Sequence, residues 1–265
     1  MTSSHLVGVL IMLASHTKNI LGSVVSSSFR LWRGTIGRKN SEQPPELPIL
    51  FDRENDEYCR LVREAFTELN LDAMVYPVPE GGSRHAARLK GLSGGLDIPF
   101  LYDPNTGQKC QGAASILDYL FTRYGKKDVP SSLRPGRVNL VLSRLAGTVR
   151  GQRGYSVKPS KEVSEPLTLY SFESSPFSRP VREKLCELEV AYHLINLSKQ
   201  QMADLGPATQ RLHFGDYRPL PGSKRDHFLA EFGRVQVPFL IDPNAGQSLF
   251  ESKEILAYLT RTYEA

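Results

Sequence analysis

Residue types that could carry chemistry are sparse in this chain and concentrate in its second half. Ser174-Ser175-Pro176-Phe177-Ser178 follows a short apolar run and precedes a helical pattern, so its hydroxyls fall at a helix start. Such a junction presents unpaired backbone N–H groups and the positive end of a helix dipole, which favour a thiolate. Ser175 therefore has two readings, a helix cap or a contact to a ligand thiol. Downstream, Val237-Pro238 opens an apolar run, and Phe250-Glu251-Ser252 leads into a last helix whose amino terminus suits a carboxylate.

Other reactive types offer less. Cys59, Cys110 and Cys186 are widely spaced and odd in number, which fits a reducing cytoplasmic compartment better than a disulfide scaffold. No zinc spacing exists among them, His85, His193, His213 and His227 form no ligand pattern, and no metal site is assigned. Cys110 and Cys186 fall on strand and helix patterns and read as core. Cys59 stands at a helix start beside Asp56 and Glu57, acids that would raise its pKa.

The elements that position these residues emerge from an internal repeat. Asp103-Pro104-Asn105-Thr106-Gly107-Gln108 matches Asp242-Pro243-Asn244-Ala245-Gly246-Gln247, and Ile116-Leu117-Asp118-Tyr119-Leu120 matches Ile255-Leu256-Ala257-Tyr258-Leu259 at the same offset. Upstream, Val62-Arg63-Glu64 matches Val181-Arg182-Glu183 at an offset shorter by about 20 residues, which places an inserted loop between about Gln200 and Phe232. Each copy reads as β-α-β followed by β-β-α. Strands fall at Leu47–Phe51 and Leu167–Phe172, helices at Cys59–Leu69 and Ser178–Leu188, and second strands at Ala73–Val78 and Tyr192–Leu197. After the Asp-Pro-Asn-x-Gly turn a final helix ends at Tyr124 or Tyr263. The expected organisation is a leader over 1–41, a first module over 42–125, a basic linker over 126–161 and a second module over 162–265.

The formal net charge of +5 resides wholly in residues 1–41, which hold Lys18, Arg30, Arg33, Arg38 and Lys39 and no acid. Residues 126–161 carry nine basic side chains and one acidic, while the modules are mildly acidic. With the charge confined to connectors, a nucleic-acid partner is not expected, and the linker reads as a solvated segment. Apolar positions from Leu6 to Trp32 recur at helical spacing, so the leader reads as an amphipathic helix. Its apolar run of nine residues is too short to span a membrane, which takes about 20. Packing on the body or a second subunit, peripheral contact with an anionic membrane, and an organellar transit role all remain open for residues 1–41.

The motifs Ser175-Pro176-Phe177-Ser178-Arg179-Pro180-Val181-Arg182, Val237-Pro238 and Phe250-Glu251-Ser252 with Ile255-x-x-Tyr258-Leu259 resemble the thioredoxin-fold amino-terminal domain of glutathione transferases and the related glutaredoxins. The resemblance implies an α/β fold of two tandem thioredoxin-like modules behind a helical leader, without the family's helical carboxy-terminal domain. It implies a glutathione site with Val237 and a cis Pro238 at the cysteinyl unit, Glu251 and Ser252 at the γ-glutamyl end, and Ser175 and Phe177 beside the thiol. Arg179 and Arg182 could meet the glycyl carboxylate or pair with Glu183 and Glu187.

Departures from the family pattern bound the chemistry. The cysteine box reads Ser175-Pro176-Phe177-Ser178, so dithiol exchange by this module is excluded for want of a protein thiolate. A serine-type role remains, in which Ser175 donates a hydrogen bond to the thiolate of bound glutathione. The first module aligns Asp56-Glu57-Tyr58-Cys59 with that box and Gly112-Ala113 with Glu251-Ser252, and so reads as a degenerate copy. The leading expectation is a glutathione-binding protein with at most weak serine-type transferase activity. The alternative is a non-catalytic interaction or scaffold protein of the same fold, as a homodimer or docked on a membrane through its leader.

Overall fold

A computed structural model describes residues 3–39, 43–208 and 215–265, with the side chains of the first helix described from His16 onward. His213, the end of the leader at 40–42, part of the inserted loop and the apolar side chains from Leu6 to Leu13 lie outside the described residues. Helix α1 (Ser3–Phe29) comes first. The first half then runs β1 (Ile49–Asp52), α2 (Glu57–Glu68), β2 (Ala73–Pro77), α3 (Ala86–Ser93), β3 (Phe100–Asp103), β4 (Gln108–Gln111) and α4 (Ala113–Leu120). Helix α5 (Arg137–Thr148) leads into β5 (Leu167–Ser171), α6 (Arg179–Glu187), β6 (Tyr192–Asn196), α7 (Lys224–Phe232), β7 (Phe239–Asp242), β8 (Gln247–Phe250) and α8 (Ser252–Tyr263).

This is the tandem thioredoxin-like architecture, with one helix more per half than the sequence pattern gave. Helices α3 and α7 were missed because their apolar residues are few: only Leu89 is buried on α3, and Arg225 and Phe228 on α7. Helix α7 takes up the end of the stretch read as an inserted loop, so the insertion itself lies between β6 and α7. The 126–161 segment is not a solvated linker throughout, since it contains α5, and Ser143, Ala146 and Arg150 are buried.

The eight strands among the described residues form one sheet in the order β4-β3-β1-β2-β6-β5-β7-β8. Within each half the first two strands are parallel and the last two antiparallel. The halves join where β2 pairs antiparallel with β6, Met74 opposite His193. Those two residues are equivalent in the repeat, so a pseudo-twofold axis passes between them, and the chain is arranged like a symmetric dimer in one polypeptide. One apolar core spans both halves, from Leu50, Val62 and Leu117 to Leu169, Val181 and Leu259.

The leaders cross that axis. Helix α5 packs on α2, with Ser143 Oγ donating to the Glu57 carbonyl at 3.0 Å, whereas Ser27 of α1 donates to the Ser174 carbonyl at 2.8 Å. Arg30 forms a fork on Glu64 at 2.9 and 2.7 Å and reaches Asn139, while its counterpart Arg150 forks on Glu183 at 2.6 and 2.7 Å and reaches Asn19. Neither arginine is solvated, so part of the basic excess of the connectors is spent inside the fold.

The repeated Asp-Pro-Asn-x-Gly motif has a structural explanation. Asp103 accepts hydrogen bonds from Tyr119 at 2.6 Å and from Tyr124, and caps its turn through Asn105 N–H at 2.9 Å. Asp242 does the same with Tyr258 at 2.6 Å, Tyr263 and Asn244. Each aspartate pins the final helix of its half to the hairpin, and burial together with the aspartate pushes Tyr119 and Tyr258 up to about 12.

Candidate functional site

The site is assembled at the amino terminus of α6. Strand β5 is fully buried at Leu167, Leu169 and Ser171, on the more completely covered face of the sheet, and the chain leaves it at Phe172 to turn into Ser174-Ser175-Pro176. Pro180 near the helix start favours helix entry, since its missing N–H has no partner to lose there. Ser175 is buried, and its Oγ accepts from the Ser178 N–H at 3.2 Å and the Ser178 hydroxyl at 3.0 Å. Ser175 thus closes the turn that leads into α6, whose own N-cap position is Ser178, and it uses the hydroxyl oxygen while leaving its proton unassigned among the described contacts.

The leader fixes this loop directly. Ser174 N–H donates to the Gly34 carbonyl at 3.1 Å, and the Thr35 and Ser174 hydroxyls are hydrogen-bonded to each other. Gly34 has φ 72°, and a Cβ there would come within 2.7 Å of the Glu173 Cβ. Only glycine allows the leader to approach so closely.

A cleft of about 560 Å³ opens beside Ser175. Ser175, Phe177 and Val237 line one side, with Gln236 next to the cis Val237–Pro238 bond. The opposite wall comes from α1 and the turn after it, and the rim from the start of the inserted loop at Asp204–Ala208. At the equivalent position of the first half the described residues form a polar depression of about 120 Å³ beside Glu57, which is bound by Arg144.

Glu251 and Ser252 do not line the cleft. Glu251 is linked to it by Gln236, whose side-chain amide donates to the Glu251 carboxylate, and Ser252 is buried at the first turn of α8. Glu251 has φ 67°, and the equivalent Gly112 has φ 78°. The strand-to-helix corner demands left-handed backbone in both halves. The first half meets it with glycine, and the second places a carboxylate there at a conformational cost of about 1 kcal/mol. His16 of α1 feels this corner as well: burial and Lys253 lower its pKa, and Glu251 opposes them.

Beneath the loop lies a charge lattice. Arg182 reaches Glu54 and Glu173 at 3.0 Å each, and Arg63 reaches Asp52 at 2.7 Å and Glu173 at 3.0 Å. All of these groups are buried, as are Arg60 and Arg179, which meet Glu173 at 3.6 and 3.4 Å. Burial would raise the Glu173 carboxyl, but Arg182, Arg63, Arg179 and Arg60 outweigh it and hold the group well below the carboxylate range. Burial and the like charge of Arg60 pull Arg179 down to about 9. The lattice holds four arginines against three carboxylates, one of them Asp52, which burial raises to about 6. Arg179 and Arg182 are thus committed to Glu173 of their own half and to Glu54 across the axis, and not to Glu183 or Glu187, which pair with Arg150 and Lys158. The signal was in the repeat, where Glu54, Arg60 and Arg63 align with Glu173, Arg179 and Arg182.

The cysteines are all buried. Burial, then Asp56 and Asp52, push the Cys59 thiol well above its ordinary value, the opposite of a nucleophile. Among the described residues no group of three or more His, Cys, Asp or Glu could hold a metal ion, and no helix is long and apolar enough to cross a membrane.

A family model described as the amino-terminal domain of glutathione S-transferase matches residues 50–128 and 169–265. The chain belongs to that family. No curated protein and no solved structure matches it. Both matched segments of this glutathione S-transferase amino-terminal domain protein are the thioredoxin-like halves. The α1 leader, which carries one wall of the cleft, falls outside them, as does α5.

Proposed function

We propose that the second half binds glutathione, with Ser175 and Phe177 beside the sulfur, Val237 and Pro238 along the cysteinyl backbone, and Glu251 and Ser252 at the γ-glutamyl end. The observation that carries this reading is the polarity of Ser175. Its oxygen already accepts twice from Ser178, so its proton is the part available to a thiolate, at a helix amino terminus that also favours negative charge. Glu251 in left-handed backbone, where the other half has glycine, supports a ligand role for that carboxylate. With no thiol in the box, the chemistry is serine-type and weak: activation of the thiol of glutathione rather than disulfide exchange. Calorimetry tests the binding claim. Glutathione should release heat with the intact protein and lose it in the Glu251→Ala, Ser252→Ala double variant. Undiminished heat would overturn the assignment. Conjugation of a generic electrophile should fall in Ser175→Ala.

A second reading, docking on an anionic membrane without catalysis, draws on one specific feature. Leu21 and Val25 of α1 and Val141 and Leu145 of α5 are exposed across the pseudo-twofold axis, on the two connectors that hold the basic excess. Co-sedimentation with anionic liposomes, with and without residues 1–41, separates the two readings.

A further inference from the structure

A second set of differences between the halves surrounds the turn after α1. Leu31, Trp32 and Ile36 are 77%, 42% and 56% exposed, and the equivalent positions after α5 are Gly151, Gln152 and Ser156. That equivalent turn closes without apolar side chains, so the fold accounts for none of the three. Besides the cleft at Ser175, they line a groove of about 430 Å³ together with Arg33, Arg38, Glu68 and Lys127. Arg38 also lines a pocket of about 180 Å³, which it shares with Arg123 and Lys126.

Charge along this surface is unbalanced. Lys127 engages Glu68, the one carboxylate lining either cavity, at 3.0 Å. Arg33, Arg38, Arg123 and Lys126 form no ion pair among the described residues. Arg38 is held in place by donating to the Tyr124 and Gly125 carbonyls at 3.5 and 2.5 Å, and Arg123 lies 5.2 Å from the centre of the Tyr124 ring. In the second half, Arg123 and Lys126 become Thr262 and Ala265, Gly125 becomes Glu264, and the Arg38 counterpart Lys158 is paired with Glu187 at 2.5 Å. Unpaired cations gathered in one place repel one another, and a bound anion relieves that repulsion. A phosphate carries up to two charges and three acceptor oxygens, and so matches two arginine forks and a lysine better than a singly charged carboxylate does.

We infer that the first half binds a phosphate monoester joined to an apolar group, the phosphate at Arg38, Arg123 and Lys126 and the aryl or acyl group against Leu31, Trp32 and Ile36. A soluble phosphorylated compound and the headgroup of phosphatidate share this chemistry. The site is independent of the glutathione reading, since neither Arg123 nor Lys126 lines the cleft at Ser175.

Trp32 is the one tryptophan of the chain and serves as the reporter. Phenyl phosphate titrated into the intact protein should change its emission and saturate at one per chain, with inorganic phosphate at least tenfold weaker. Arg123→Thr with Lys126→Ala, which copies Thr262 and Ala265, should weaken phenyl phosphate at least tenfold and leave the heat of glutathione unchanged. Leu31→Gly with Ile36→Ser, which copies Gly151 and Ser156, should bring phenyl phosphate down to the affinity of inorganic phosphate. Phosphatidate vesicles, set against phosphatidylcholine vesicles, distinguish the sources. Co-sedimentation with phosphatidate that is lost in the Arg123→Thr, Lys126→Ala variant assigns the site to a lipid headgroup, and saturation by phenyl phosphate alone assigns it to a soluble ester. Saturation by neither probe, or binding that survives Arg123→Thr with Lys126→Ala, would overturn the inference. Phenyl phosphate binding without glutathione heat would defeat the glutathione reading and leave this site standing.

Discussion

The two halves share their strand order, their aspartate-anchored hairpins, their cis prolines and their arginine forks, and they part company around one cleft. Ser175 faces Asp56 in the repeat, Glu251 faces Gly112, and the insertion after β6 has no counterpart after β2. The leaders differ in the same sense, Leu31-Trp32 against Gly151-Gln152. Features present twice are those that close the fold. Features present once cluster where a ligand could sit, and two of them, Glu251 and Leu31, place a side chain on left-handed backbone where the counterpart is glycine. Duplication supplies an internal control: the first half shows what the fold needs, and the remainder of the second half is left for function to explain.

The largest expected effect breaks what the halves share. Glu173 is buried under four arginines, so Glu173→Ala leaves uncompensated charge and should destabilise the whole chain by about 3–5 kcal/mol. Because the core and sheet are continuous, urea unfolding should remain a single transition at a lower midpoint. By contrast, disrupting the exposed Arg134–Asp118 pair should shift stability by less than about 0.5 kcal/mol.

Next come the two helix starts. Asp56 caps α2 by accepting from the Tyr58 and Cys59 N–H groups at 2.9 and 2.8 Å, and Ser175 closes the turn that leads into α6 by accepting from the Ser178 N–H at 3.2 Å. Asp56→Ala and Ser175→Ala should each cost about 1 kcal/mol in thermal unfolding. Only Ser175→Ala should also lower conjugation, by roughly a hundredfold, the scale on which loss of one anion-stabilising donor is felt. Equal loss in both variants would erase the distinction.

Exchanging the corner residues should have opposite effects. Glu251→Gly relieves left-handed strain and should raise stability by up to about 1 kcal/mol while weakening glutathione. Gly112→Glu should lower stability by about the same amount without creating a second site. A gain of affinity from Gly112→Glu would mean the first half is less degenerate than its sequence.

The smallest expected difference is in acid sensitivity. Helix α3 starts at His85, whose Nε2 lies 3.0 Å from the Glu189 carbonyl, whereas α7 is capped by Ser223. Burial lowers His85 to about 4 from 6.5, so the unfolded chain binds its proton more tightly. The contribution of this residue to stability is complete above about pH 6.5 and is lost as pH falls toward 4. Denaturation midpoints of His85→Gln should show a shallower decline over that interval.

Much of this was legible in the sequence because the repeat made it so. Matched Asp-Pro-Asn turns, Val-Arg-Glu helices and the Phe-Glu-Ser corner gave the modules, most of the strands and the candidate residues around Ser175. Periodicity failed for α3 and α7, whose buried surface is too small to leave a stripe. Composition misled for residues 126–161, since Arg150 and Ser143 look solvated in a polar string and are buried by a partner helix. Pairing of Arg63 and Arg182 across the axis was invisible because single-sequence spacing reports neighbours within an element, not across a sheet joined at β2 and β6. The cleft was illegible for a related reason, as its wall comes from α1, whose docking on the Ser174 loop of the second half leaves no mark in the spacing of either.

The account rests most heavily on asymmetry between the halves, and the stoichiometry of glutathione measured by calorimetry on the intact chain tests it most directly. One glutathione per chain, abolished by Glu251→Ala with Ser252→Ala and untouched by Asp56→Ala, is the predicted result. Two per chain, none, or one that survives the double substitution would contradict it.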